Sequence, residues 1–314
     1  MTPKPRARNP AIPGTTKDRT GAAGILRRAY ADINRRFAGL LRDVLEVFGR
    51  IRIIETNDDR LIPRPVLYAL TPDELAATSR TLQEALDRWI AAGRDPANAF
   101  WWDAYDAEAA QLGTAQTASN LGNLSTVYAA QRSLATIVYS DAYRNRVAFA
   151  QAKSYEHWTG LGAEMRAELA QIIGRAVVDG KNPRAVRTEI ADRLEVSRGR
   201  ALGYAQTDVT DTLRQARMAE ADHAREEFGL GIGLLWTSAL LPTTRPTHAA
   251  RHRKVYTSAQ VKAFYAVNGN RYRCHCSITE CLLDEDGRPI LTDALKRSMA
   301  KELAVWERAP KAKR

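Results

Sequence analysis

All three cysteines of this 314-residue chain, and three of its five histidines, fall between residues 248 and 281. His248 and His252 are four apart, so a helix would put both on one face, and Cys274 and Cys276 are two apart, so a strand would do the same. Convergence of the four side chains would give a tetrahedral Cys2His2 zinc site, able to hold together a module too small for a large core. The other outcome for these residues is metal-free: Cys274 and Cys276 packed as small hydrophobes, with His252 exposed. A catalytic alternative uses His248, Arg251, His252 and Arg273, residue types that a metal-independent nuclease employs as general base and phosphate clamp. Histidine and arginine are equally expected where a protein touches DNA phosphate, and no nucleophile–base constellation accompanies them. The chain has no Gly-x4-Gly-Lys-Ser/Thr loop, no His-Glu-x-x-His and no Gly-x-Ser-x-Gly. Gly229, Gly231 and Gly233 read as a turn entering a strand rather than a dinucleotide site.

The elements that must position these residues are mostly helical. Leu26, Tyr30, Ile33, Phe37, Leu40, Val44 and Val47 alternate spacings of four and three, one stripe of a helix that ends near Gly49. That stripe could dock a partner or another copy of the chain, or pack on the chain's own next helix. Thr71-Pro-Asp-Glu74 is a capped helix start, and the helix that follows reaches about residue 92. A helical region over about 95–158 is interrupted by Gly113 and Gly122, and its cluster of Phe100, Trp101, Trp102 and Tyr105 suits a core. Three helices follow: 163–179, one opening at Asn182-Pro183, and one from Ser197 to Phe228. After Gly229 the pattern changes. Ile232, Leu234 and Trp236 alternate as a strand does, then come a short helix near 246–252, a strand at Val255-Tyr256, a second alternating run over 271–283, a turn at 284–287 and a last helix over 291–305. The fold class expected is mainly α, an extended helical body with a flexible basic N-terminal arm and a small C-terminal α+β module.

Hydrophobic residues make up 45% of the chain, enough for a real core. No apolar run is long enough to cross a bilayer, no secretory signal opens the chain, and three cysteines make no disulfide framework, so synthesis in a reducing cytoplasm is expected. Net charge is +11, and residues 1–36 hold Lys4, Arg6, Arg8, Lys17, Arg19, Arg27, Arg28, Arg35 and Arg36 against Asp18 and Asp32. Arg308, Lys311, Lys313 and Arg314 form a second basic end. Such ends could lie along double-stranded DNA without reading its sequence, by releasing condensed counterions, or could simply be solvated.

Ala205-Gln-Thr207-Asp208-Val, Leu235-Trp236-Thr-Ser-Ala, Arg245-Pro-Thr-His248 through Lys254-Val-Tyr256, and Cys274-His-Cys276 occur in one order over about residues 165–283. Together they resemble the phage Mu F-like minor head protein family, also called the phage head morphogenesis family. The chain departs from that family's pattern at Leu241-Pro-Thr-Thr244, where an acidic residue is common, at Arg253 for a glycine, and at Arg271-Tyr-Arg273 for a His-Pro pair. The resemblance implies a non-enzymatic minor protein of a tailed-phage head. It would be made in the host cytoplasm, recruited near the portal or the major capsid protein during procapsid assembly, and packaged close to DNA. The alternative is a nuclease or toxin-type effector carried in the head. Domains are expected at 1–23 (arm), 24–160 (helical body), 161–290 (Mu F-like domain) and 291–314 (terminal helix and basic tail), with Leu26, Tyr30, Ile33, Phe37, Leu40 and Val44 as the docking stripe.

Overall fold

The computed structural model describes residues 9–15, 18–54, 66–91 and 99–310. In chain order the elements are α1 (Ala23–Gly49), β1 (Arg52–Ile54), β2 (Leu67–Ala69), α2 (Pro72–Leu86) with a π turn Asp87–Ala91, α3 (Asp103–Leu124), α4 (Thr126–Gln131), α5 (Leu134–Val138), α6 (Asp141–Asp179), α7 (Pro183–Phe228), β3 (Ile232–Thr237), α8 (Pro246–Ala249), β4 (Val255–Tyr256), α9 (Ser258–Ala266), β5 (Ser277–Leu282) and α10 (Asp293–Arg308). The chain is mainly α, with a three-stranded antiparallel sheet of order β4-β3-β5 near its C-terminus. No helix among the described residues is long and apolar enough to cross a membrane.

Two compact units form: Met1–Arg27 with Ala104–Gln151 and Gln206–Arg314, and Arg28–Asp103 with Ala152–Ala205. The expected border at 160/161 therefore falls inside a single helix, α6. The interruptions expected at Gly113 and Gly122 are absent, as α3 runs through both. At Gly113 the reason is close approach, because a Cβ there would lie 2.3 Å from the Leu213 carbonyl oxygen. The helices expected to begin separately at Asn182-Pro183 and Ser197 are likewise one, α7, since nothing between them breaks the backbone ladder.

In the second unit the stripe of α1 is interior. Ile33, Phe37, Leu40 and Val44 are buried, and Phe37, Ala38 and Leu41 share a groove with Ala191 and Leu194 of α7. The docking stripe is thus corrected to core, Leu26 of the first unit being buried as well and Tyr30 half-buried. Trp102 and Trp158 are fully buried, their rings 5.0 Å apart, with Trp101 4.7 Å from Trp158. That aromatic cluster is core.

In the first unit β3 is buried on both faces, so its sequence Ile-Gly-Leu-Leu-Trp-Thr is an apolar run and not a half-buried alternation. Leu234 and Trp236 pack with Ile278, Phe264 and Tyr265, while Leu235 packs with Cys281, Leu291 and Met299, the last supplied by α10. Residues 9–15 and 18–22, expected in an irregular arm, are tied down by polar side chains that periodicity does not reveal. Asn9 Oδ1 accepts from the Thr292 backbone N–H at 3.0 Å, Asn120 Oδ1 accepts from the Ala11 N–H at 2.8 Å, and Asp18 Oδ2 accepts from the Ala23 N–H at 2.8 Å at the start of α1. Lys4, Arg6, Arg8, Lys17, Lys311, Lys313 and Arg314 lie outside the described residues.

Candidate functional site

His248 sits in α8, whose first turn is set by Pro246, and its backbone carbonyl accepts the Ser238 hydroxyl at 2.6 Å. Cys274 and Cys276 lie on the segment leading into β5. Arg273, just before them, has a left-handed backbone (φ 50°), with its N–H donating to Thr207 Oγ1 at 3.1 Å. These anchors bring His248 Nδ1 to 3.5 Å from Cys274 Sγ and 3.7 Å from Cys276 Sγ. The three residues are 2–3% exposed.

His252 does not join them. Its Nδ1 accepts the Ser238 backbone N–H at 3.0 Å, which leaves the ring hydrogen on Nε2, 3.6 Å from Glu302 Oε2. Burial is the main cause that lowers its pKa to about 4, with the Arg19 charge adding to it, so the ring is neutral near pH 7. The expected four-residue set is thereby corrected to three: α8 ends at Ala249, and the turns after it carry His252 away from the face that holds His248. His252 is also buried, contrary to its expected exposure in a metal-free fold.

Several charged groups surround the trio. Burial pushes the Cys274 thiol up, but Cys276, the His248 ring and the Arg214 guanidinium outweigh it and hold Cys274 well below the ordinary value. Cys276 is driven the other way, mainly by its hydrogen bond with Cys274. Arg214 lies 3.7 Å over the Tyr265 ring and pairs with Asp211 at 3.1 Å, and the Tyr265 hydroxyl is 3.3 Å from Cys274 Sγ. Arg245 donates to the Asn270 and Tyr272 carbonyls at 3.0 and 2.7 Å, and its Nη1 approaches His248 Nε2 at 3.2 Å. A cleft of about 300 Å³ opens beside the trio, lined also by Thr244, Arg245, Arg273 and His275.

The nuclease set is not assembled. Arg251 lies 3.8 Å over the Phe264 ring and His252 faces Glu302, so of those four residues only His248 and Arg273 line this cleft. Among the basic residues assigned to DNA, Arg19 is 7% exposed and paired with Glu302 at 2.6 Å. Arg36 donates to the Trp89 carbonyl at 2.9 Å and lies 4.1 Å over Trp101, so both are corrected to internal roles. Arg27, Arg28 and Arg35 are exposed, Arg35 next to Asp32.

A buried polar network went unread in the sequence. Glu280 in β5 takes Arg217 Nε and Nη2 at 3.0 and 2.8 Å, Thr117 Oγ1 at 2.9 Å and Asn120 Nδ2 at 3.0 Å. Burial alone would raise the Glu280 carboxyl, yet Arg217 and Asn120 bring it below its ordinary value. A lone charged residue in the run Ser-Ile-Thr-Glu-Cys-Leu, whose other positions are uncharged, was the available signal.

Residues 167–279 match the family described as Phage Mu protein F like protein. Comparison with curated proteins and with solved structures finds no match.

Proposed function

From the match of residues 167–279 to the Mu F-like family, we propose that the chain is a minor, non-enzymatic component of a phage head. It docks to the portal or the major capsid protein during procapsid assembly and lies against packaged double-stranded DNA. The family match is the observation that carries this reading. The DNA contact draws support from the net charge of +11 and from Arg27, Arg28 and Arg35, exposed on α1. Phosphate contacts of this kind position a protein without reading sequence.

With the α1 stripe buried, docking falls to another surface of the chain. Co-expression with its portal and major capsid proteins tests the docking. The chain is expected to sediment with procapsids, and procapsids that form while the chain stays at the top of the gradient would refute it. RNA and DNA incubated with the purified chain are expected to stay intact. Cleavage that disappears in His248→Ala would replace this reading with the nuclease alternative.

A further inference from the structure

The trio of His248, Cys274 and Cys276 brings one imidazole nitrogen and two sulfurs together in a buried pocket. Its ligand atoms all lie within 4.8 Å of one another. One imidazole nitrogen approaches two sulfurs almost equally, at 3.5 and 3.7 Å. A single N–H shared between two sulfurs gives each only part of a hydrogen bond. A cation shared by all three satisfies the nitrogen and both sulfurs together.

We propose that His248 Nδ1, Cys274 Sγ and Cys276 Sγ bind one zinc-class divalent ion, and that its fourth position is a water in the adjoining cleft. Zinc binds imidazole nitrogen at about 2.0–2.1 Å and thiolate at about 2.3 Å with tetrahedral angles, which separates the two donor types by roughly 3.6 Å. The two observed separations straddle that value. Two thiolates and one imidazole favour zinc over magnesium or calcium, which take oxygen ligands. Among the described residues no fourth histidine, cysteine or carboxylate joins the set. The cleft of about 300 Å³ has room for the water and places Arg245, Arg273 and His275 around it.

The ion would tie α8 to the lead-in of β5, segments 26 residues apart that meet against the Trp236 core. Both cysteines bind as thiolates, so loading releases protons and weakens as pH falls. There is a cost at the far side of the ring. With Nδ1 on the metal, the ring hydrogen moves to Nε2 and faces Arg245, which retains the Asn270 and Tyr272 carbonyls as acceptors. The competing metal-free state keeps that hydrogen on Nδ1, with Arg245 donating to Nε2.

Elemental analysis of the full chain, produced in zinc-supplemented cells and desalted without chelator, decides between them. About one zinc per chain is expected, and below about a tenth of an equivalent the proposal falls. The chelator-stripped chain should then take up cobalt(II) with a thiolate-to-cobalt charge-transfer band. That band should weaken in Cys274→Ser, Cys276→Ser and His248→Asn, and persist in His252→Asn and Cys281→Ser. Since ligand variants can misfold, circular dichroism of the stripped wild type supplies the second check: a folded chain that takes up no cobalt overturns the proposal.

Discussion

His252 is held neutral by burial beside Arg19, with its pKa lowered to about 4. The unfolded chain takes up that proton near pH 6.5, whereas the folded chain resists it, so the unfolded state binds more protons in this window and stability falls as pH drops from about 6.5 toward 4. Between pH 6.5 and 5 the loss should be about 1.5 kcal/mol. In His252→Asn, whose amide oxygen can still accept the Ser238 N–H, the unfolding free energies from urea titration at the two pH values should lie closer together by that amount. An unchanged gap would assign the loss to other groups. Glu280 and Arg217 are fully buried partners. Glu280→Leu leaves the guanidinium uncompensated and should cost about 3–5 kcal/mol, while adding Arg217→Met should recover much of it. If the double variant is no more stable than the single one in urea titration, the charge pairing is not the cause. At this scale residue type drew attention to His248, Cys274 and Cys276, but the spacing argument did not place them: the two cysteines precede β5 instead of lying on a strand. Spacing also misassigned His252, since the short helix stops before the second histidine and no spacing rule reports where a turn takes over.

Helix boundaries were legible where caps mark them and illegible where glycine serves packing. Thr71 and Glu74 form the expected capping box of α2. An equivalent box at Thr257 and Gln260 starts α9, a helix too short to show a helical period. Gly113 looked like a break, but it lies inside α3 because α7 comes too close for a side chain. The α1 stripe was legible as a stripe, while its destination was not: a seam for a partner and a face for one's own core share the same period. Its burial gives a prediction that separates the two. Phe37→Asp places an unpaired charge in the core and should cost at least about 3 kcal/mol in urea denaturation of the isolated chain. A variant as stable as the wild type would return the stripe to the surface, free for a partner.

For the whole molecule, the mainly α chain with a small C-terminal α+β module was legible from the change of pattern after Gly229. The assignment of basic residues to DNA is cut back at Arg19 and Arg36. Counting charges does not tell that Arg19 pairs with Glu302 or that Arg36 covers Trp101. Binding to duplex DNA should still be sequence-blind and steep in salt, with a slope of log K on log salt near −5 if about six phosphates are neutralised. Removing residues 1–8, and separately Arg27→Gln with Arg28→Gln, should each flatten that slope. Slopes unchanged in both would take the N-terminal charges out of the account. Incorporation of this chain into phage heads, as proposed, can be read by mass-spectrometric counting in purified DNA-filled heads. A small, reproducible number of copies per head is expected, co-purifying with the portal protein. Heads that contain none, from cells in which the chain is expressed, would rule out a head component.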